Sequence, residues 1–191
     1  MAVTVIYLCY AKYMRRHLHR FDSHFTIWIQ SWPAWMKRPM LAITNVGQPL
    51  TIILFAGGLL VWSLWHGQKL MAVASGIVLA TVIVSSALKL LLRRARPDTE
   101  YAANMVYRSF SFPSGHAAAA TAGFGFIAYL ALVGLAMPWS IVLGIATVLF
   151  GLLVCVSRVY LGAHYPSDVV GGMLLGLIGL GVLVFVVSPL T

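Results

Sequence analysis

Long uninterrupted runs of apolar residues dominate this chain, and its polar side chains collect in short clusters between them. Residues 70–92 carry one charge, Lys89, and no charged residue occurs from Ala117 to Ser157. A helix that crosses about 30 Å of hydrocarbon needs about 20 such residues. Apolar runs without periodic polar interruption are typical of helices that face lipid. The pattern therefore predicts several membrane-spanning helices.

The boundaries of the apolar runs predict about six spans. Residues 117–157 are long enough for two helices, and Met137-Pro138 marks the turn between them because proline interrupts a helix. Residues 1–14 are apolar but short, and we interpret them as a short first span. The other spans are predicted at residues 41–65, 70–92 and 169–188.

One segment is predicted to lie at the membrane surface instead of crossing it. Residues 22–38 mix tryptophan and phenylalanine with polar side chains, which is typical of amphipathic helices in the headgroup layer. The predicted fold is therefore all-α, a polytopic membrane helix bundle with an added interfacial helix.

Composition supports a membrane protein and narrows its partners. The chain has 191 residues, of which 61% are hydrophobic and 9% charged, whereas soluble domains carry about 25% charged residues. The net charge of +9 does not indicate a nucleic-acid partner, since the basic residues lie in short clusters beside apolar spans. Membrane lipids and an anionic lipid substrate match this charge better, and no obligate protein partner is inferred.

The predicted turns bring the polar clusters to one face of the membrane. If the first segment crosses, residues 15–38, 93–115 and 158–167 emerge on the same side. The opposite side receives only short turns and the C-terminal residues. Side chains that are distant in sequence are therefore predicted to meet in one site.

Two of the clusters combine cations with a helix start. In KLLLRRARP, Lys89 and Arg96 lie seven residues apart, which returns them to nearly the same helical face. PSGH begins a span at Pro113, and a helix start offers unpaired N–H groups and a positive dipole to an anion. Gly115 would let an oxyanion approach the backbone closely.

The third cluster, SRVYLGAHYPSD at residues 157–168, places a cation, a histidine and a carboxylate together. Pro166 is a favourable first residue for the last helix, and Asp168 in its first turn is then within reach of His164.

The combined inventory suits phosphoryl transfer, in which positioning and charge stabilisation dominate. One histidine can attack phosphorus while a carboxylate orients it, and the other can protonate the leaving oxygen. The four acidic residues form no cluster that would hold a metal, so no metal or other cofactor is expected.

Together the three clusters resemble the signature of the type 2 phosphatidic acid phosphatase family, Lys-x6-Arg-Pro, Pro-Ser-Gly-His and Ser-Arg-x5-His-x3-Asp. Every fixed position is matched, at residues 89–97, 113–116 and 157–168. Three motifs on suitably placed helices are far more specific than any one of them. We interpret residues 1–191 as one integral-membrane phosphatase domain with a signature-bearing core at 41–188.

The resemblance implies a role for each matched residue. His164 corresponds to the nucleophile that forms a phosphohistidine, Asp168 to the carboxylate that orients it, and His116 to the general acid. The phosphate oxygens would be held by Lys89, Arg96, Ser114, Gly115 and Arg158. The family needs no metal, and its membrane members face the extracytoplasmic side.

The resemblance also implies a substrate class and leaves alternatives open. The last two motifs are most similar to bacterial members that act on phosphatidylglycerol phosphate, so that lipid or phosphatidic acid is the expected substrate. Hydrolysis of undecaprenyl pyrophosphate and phosphate transfer between lipids are alternatives, and a non-catalytic transporter or scaffold is a remote one.

The expected location is the bacterial plasma membrane, with the site on the extracytoplasmic face. The basic residues of the segment 15–38 argue the reverse by the positive-inside rule. Three further arginines outside the fixed positions of the signature are predicted to bind anionic headgroups, namely Arg93, Arg94 and Arg108.

Overall fold

The computed structural model describes residues 17–105 and 109–187, and within these ranges it contains helices and no strand. The predicted all-α membrane fold is confirmed. Five described segments are long and apolar enough to cross a membrane: Ala34–Trp65, Lys69–Leu92, Gly115–Gly134, Trp139–Tyr160 and Pro166–Val187. The predicted first span at residues 1–14 lies outside the described residues.

We number the helices α1 to α8 in chain order. Helix α1 is described over residues 17–30, and a 3-10 turn follows at Ala34–Met36. The other helices are α2 (Lys37–Val46), α3 (Pro49–Trp65), α4 (Lys69–Leu92), α5 (Glu100–Ala103), α6 (Gly115–Gly134), α7 (Trp139–Tyr160) and α8 (Pro166–Val187).

The predicted interfacial helix has different boundaries from those expected. The helix expected over residues 22–38 ends at residue 30, and helical structure resumes only after Pro33. The reason is that proline lacks an N–H group and disfavours helical geometry in the residue before it. Helix α1 buries Asp22 and Ile29 and leaves Trp28 56% exposed.

The predicted span at residues 41–65 begins earlier and is divided into α2 and α3. Pro49 begins α3 at a position where its missing N–H is tolerated. Just before it, Gly47 lies against Val154 of α7 so closely that a Cβ atom would overlap the valine side chain. The break therefore lets α2 pack on α7 while α3 turns to pack on α4.

Helix α6 is the centre of the bundle and packs against α7 and α8. The first half of α6 is rich in buried alanines, and small residues let helix backbones approach closely in a membrane. Larger side chains from α3, α4, α6 and α8 form the main core, including Ile52, Val78, Phe126 and Leu183.

The contact between α6 and α8 joins the beginnings of these two helices. The amide of Ser114 donates to the backbone oxygen of Asp168 at 2.9 Å. One turn further on, a Cβ atom at Gly172 would overlap the backbone oxygen of Ser114. Glycine is therefore required for the separation of α6 and α8 that the structure shows.

We expect Gly172→Ala to lower the stability of the purified protein in detergent. The added methyl group would push against a backbone oxygen that cannot move without displacing the start of α6, and such overpacking costs about 1–3 kcal/mol. Thermal unfolding followed by circular dichroism measures the change. Gly181→Ala on the same helix is the matched control, because its added Cβ meets nothing within 4 Å. Equal melting temperatures for the two variants would contradict the close packing.

Candidate active site

The residues singled out by the three sequence clusters converge at one end of the bundle. Lys89 lies in the last turn of α4, Arg158 in the last turn of α7, and His164 in the loop between α7 and α8. Together with Arg96 and His116 they line one cavity of 1340 Å³. The predicted convergence of distant side chains is therefore present in the fold.

Two of the cations are held by backbone carbonyl groups. Lys89 Nζ donates to the oxygen of Phe110 at 3.0 Å. Arg96 Nε donates to the oxygen of Ser109 at 2.7 Å, and Arg96 Nη1 donates to the oxygen of Ala163 at 2.9 Å. These acceptors are neutral, so they orient the two cations without cancelling their charge.

The neighbouring positive charges affect one another. Burial, followed by the charge of Arg158, lowers the pKa of Arg96. An arginine nevertheless stays protonated in proteins, so the cavity keeps a concentrated positive charge that an anion would relieve.

Arg158 is the most unusual cation of the site because it is 1% exposed. Its Nη1 donates to Thr44 Oγ1 at 2.6 Å, and its guanidinium lies 5.7 Å from the centre of the Tyr101 ring. Its Nε and Nη2 atoms have no hydrogen-bond partner among the described residues. Buried donors without acceptors are costly, so this guanidinium is poised to bind an anion in the cavity.

His164 and Asp168 are aligned by the first turn of α8. His164 Nδ1 lies 3.5 Å from Asp168 Oδ2, which is longer than a well-formed hydrogen bond. Catalytic hydrogen bonds are often this long before substrate binds. The opposite ring atom, His164 Nε2, lies 3.3 Å from Arg96 Nη1, which itself lines the cavity. The imidazole thus connects a buried carboxylate to the cavity.

Three consecutive residues at the start of α6 differ in whether they line the cavity. Gly115 and His116 line the cavity. Ser114 is 0% exposed and caps the helix, since its Oγ accepts from the amide of Ala117 at 3.4 Å. Ser114 lies outside the cavity lining, and its predicted contact with phosphate stays a prediction.

The cavity also has an apolar side between α3 and α4. Leu50 and Ile53 of α3 and Val82 and Leu90 of α4 contribute to its wall. Leu50 and Leu90 are 57% and 66% exposed, so this wall continues onto the outer surface of the bundle. The cavity therefore offers both a cationic end and an aliphatic groove.

Arg94 is placed differently from the sequence expectation. Its guanidinium lies 2.6 Å from Asp22 Oδ2 and 2.7 Å from Asp168 Oδ1, and 4.6 Å from the centre of the Tyr165 ring. The prediction that Arg94 binds headgroups is wrong, because two carboxylates already occupy the planar fork that suits arginine to such pairs. Burial opposes its charge, but the hydrogen bond to Asp22 and the charges of both aspartates raise the pKa of Arg94.

Asp22 and Ser111 are two further residues beside the cavity that no sequence motif predicted. Asp22 is 3% exposed, and Ser111 Oγ donates to Asp168 Oδ2. Asp22 could have been singled out because the chain has only four acidic residues. Ionisable groups buried in membrane proteins are usually functional. Nothing near Ser111 in the sequence indicates its partner, which lies 57 residues away.

Comparison with known proteins identifies the family. The model of the PAP2 superfamily matches residues 69–190, a range that includes all three clusters. The chain belongs to the PAP2 superfamily. It is an integral membrane phosphatase in the class of phosphoric monoester hydrolases, and the family resemblance inferred from the sequence is confirmed.

Curated relatives act on several lipid phosphates. The chain is 36% identical over 155 residues to phosphatidylglycerophosphatase B of Bacillus subtilis, which covers 75% of this chain and 71% of the relative. It is 40% identical over 67 residues to undecaprenyl-diphosphatase of Sulfolobus acidocaldarius, covering 35% and 29%. It is 33% identical over 129 residues to lipid A 4'-phosphatase of Bacteroides thetaiotaomicron, covering 63% and 54%.

Two crystal structures share the fold. The transmembrane PAP2 type phosphatidylglycerolphosphate phosphatase from Bacillus subtilis matches with a TM-score of 0.76 at 24% identity, covering 100% of this chain and 96% of the other. Aquifex aeolicus LpxE matches with a TM-score of 0.62 at 20% identity, covering 84% and 93%. Both matches agree with a transmembrane helix bundle.

The buried imidazole of His164 should make the folded protein less stable at acid pH. Burial, together with the charges of Arg96, Lys89 and Arg158, outweighs the interaction with Asp168 and lowers the pKa of His164 from 6.5 to about 4. The unfolded chain therefore takes up a proton more readily than the folded protein. Stability present above pH 6.5 should be lost as the pH falls towards 4, by about 3 kcal/mol in total.

The measurement is the melting temperature in detergent at pH 7 and pH 5 for wild type and two variants. His164→Gln should reduce the fall between the two pH values. His24→Gln removes an exposed histidine of α1, and its melting temperature should fall between pH 7 and pH 5 as much as that of wild type. The same fall in all three proteins would contradict the assignment to His164.

Proposed function

We propose that the protein hydrolyses a lipid phosphate monoester at the headgroup level of the membrane, through a phosphohistidine intermediate on His164. The observation that carries this proposal is the cavity itself, which joins cations and histidines at one end to an aliphatic groove at the other. An amphiphile with a phosphate headgroup and acyl chains is complementary to both ends. Similarity to phosphatidylglycerophosphatase B over 75% of the chain favours phosphatidylglycerol phosphate or phosphatidic acid as the substrate.

The cations would bind the phosphate before the reaction. Arg158 Nε and Nη2 are unpaired donors among the described residues, and Lys89 and Arg96 add charge from α4 and the loop after it. Gly115 adds the positive end of α6, where free amides bind anions. Charge-assisted hydrogen bonds of this kind stabilise the charge that develops on the phosphoryl oxygens.

In the first chemical step, His164 Nε2 would attack phosphorus and form a P–N bond. The P–O bond to the lipid breaks, and His116 donates its proton to the leaving oxygen, which departs as the lipid alcohol. Asp168 holds the Nδ1–H side of the ring, so that the unprotonated Nε2 faces the cavity.

In the second step, water would release the phosphate. His116, now without its proton, accepts a proton from the attacking water, and the new P–O bond forms as the P–N bond breaks. Inorganic phosphate leaves and both histidines return to their starting protonation states. The two steps consume one water and require no other reactant.

Two related activities use the same intermediate. A diphosphate substrate is supported by the match to undecaprenyl-diphosphatase, and a phosphotransferase would result if a lipid hydroxyl replaced the attacking water. A substrate panel separates these possibilities from monoester hydrolysis.

The deciding experiment measures phosphate release by the purified protein from phosphatidylglycerol phosphate, phosphatidic acid and undecaprenyl pyrophosphate in mixed micelles. The highest kcat/KM is expected for one of the two monoesters. A clear preference for the diphosphate would contradict the monoester proposal. Orthovanadate should inhibit competitively, because it mimics five-coordinate phosphorus.

His164→Ala should reduce phosphate release on the order of 10⁴-fold, because the reaction loses its nucleophile. In rapid-quench experiments, wild type should carry an acid-labile, alkali-stable phosphate label that His164→Ala lacks. His24→Gln is the matched control and should retain both activity and label. Activity in folded His164→Ala close to that of wild type would overturn the phosphohistidine proposal.

We also propose that the protein resides in a bacterial plasma membrane with the cavity open to the extracytoplasmic side. The test places single cysteines in a protein without Cys9 and Cys155, at Asn104 near the cavity and at His66 at the opposite end. A membrane-impermeant maleimide added to intact cells should label Asn104→Cys and spare His66→Cys. The opposite pattern would place the cavity on the cytoplasmic side.

A further inference from the structure

We propose that Asp22 and Arg94 form a positioning pair that holds Asp168 against His164, so that helix α1 controls the orientation of the nucleophile. This inference rests on the proposed role of His164. It assigns a role in the reaction to one residue outside the family signature and to one variable residue between its fixed positions.

Four side chains form a continuous series from α1 to the cavity. Asp22 Oδ2 lies 2.6 Å from Arg94 Nη2, and Arg94 Nη1 lies 2.7 Å from Asp168 Oδ1. Asp168 Oδ2 lies 3.5 Å from His164 Nδ1. Arg94 holds Oδ1 of Asp168, while Ser111 Oγ and the amide of Tyr165 donate to Oδ2. The carboxylate is therefore fixed at both oxygens, with Oδ2 beside the imidazole.

Asp22 is fixed by the start of α8 as well as by Arg94. Its Oδ1 accepts from the amide of Ser167 at 2.8 Å, and its Oδ2 accepts from Ser167 Oγ at 2.8 Å. Arg94 Nη1 also donates to Ser167 Oγ at 2.7 Å. A carboxylate from α1 thus caps α8 one residue before Asp168, at the helix end that favours negative charge.

Arg94 acts through Asp168 and not on the substrate. Lys89, Arg96 and Arg158 line the cavity, whereas Arg94 does not. Two carboxylates compensate the charge of Arg94, so its guanidinium is not available to bind a headgroup or a phosphate. Buried ion pairs are weak contributors to stability, but a carboxylate that fixes a histidine tautomer is important to catalysis.

The charges around His164 determine how loss of Asp22 or Arg94 would change the protonation of its imidazole. The imidazole faces Arg96, Lys89 and Arg158 from the cavity side and Asp168 from α8. His116 of α6 also interacts with it electrostatically. Loss of the Arg94 charge leaves Asp168 less compensated and favours the imidazolium form of His164. Loss of the Asp22 charge has the opposite effect, because Arg94 then acts on Asp168 alone.

The experiment compares Arg94→Gln, Asp22→Asn and Arg94→Lys with wild type, by kcat, KM and the pH profile of kcat/KM. Arg94→Gln should lower kcat on the order of 10²-fold, and Asp22→Asn about tenfold, with KM within about twofold. The acid limb of the profile should move to higher pH in Arg94→Gln and to lower pH in Asp22→Asn. Arg94→Lys keeps the positive charge but loses the planar guanidinium. Its kcat should therefore fall, while the acid limb of the pH profile stays at the wild-type pH.

Arg93→Gln is the matched control. It removes the same charge from the adjacent residue, whose Nε donates to the oxygen of Leu90 at 3.1 Å. Its kcat and acid limb should equal those of wild type. All rates are expressed per folded protein, with melting temperature and size-exclusion profile as measures of folding. If Arg94→Gln does not fold, the nearly isosteric Asp22→Asn decides.

The outcomes separate this inference from the proposed function. An active wild type whose kcat and acid limb are unchanged in Arg94→Gln and Asp22→Asn would overturn the positioning pair alone. A raised KM with unchanged kcat in Arg94→Gln would make Arg94 a substrate-binding residue and would also overturn it. Full activity in His164→Ala would overturn the proposed function itself.

Discussion

The close approach of α6 and α8 is the constraint on which the site depends. The amide of Ser114 donates to the backbone oxygen of Asp168, and Gly172 leaves no room for a side chain beside Ser114. This contact brings the start of α6, with His116, next to the start of α8. A wider separation of the two helices would leave the histidines in different places, even though each local motif would be intact.

Electrostatics explains the arrangement around that contact. Three cations face one cavity. The described acceptors of Lys89 and Arg96 carry no negative charge, and they include the backbone carbonyl groups of Phe110, Ser109 and Ala163. The buried carboxylates, Asp22 and Asp168, lie on the far side of His164 and share Arg94. Positive charge is therefore concentrated where an anionic headgroup can compensate it, while the negative charge of Asp168 lies beside Nδ1 of the imidazole. The aliphatic groove beside the cations extends the same cavity towards lipid.

The sequence predicted which side chains converge better than it predicted the residues that support them. Lys89, His116 and His164 belong to motifs with fixed spacing, and the fold brings all three to one cavity. Arg94 was misinterpreted because an arginine beside an apolar span usually anchors to headgroups. Its actual partner, Asp22, lies 72 residues earlier in the chain, and no local pattern connects the two. A helix is present within the segment expected at the membrane surface, but it ends at residue 30, before Pro33.

The sequence by itself determined the helical membrane fold, the approximate spans and the family, because apolar run length and motif spacing are local properties of the chain. Only the tertiary structure decided which side chains touch. Helix packing sets the pairing of Asp22 with Arg94 and the buried position of Ser114. It also leaves Nε and Nη2 of Arg158 without a partner in the part of the chain that the structure describes. Packing brings together residues that are far apart in sequence, and no local sequence pattern indicates which of them will be in contact.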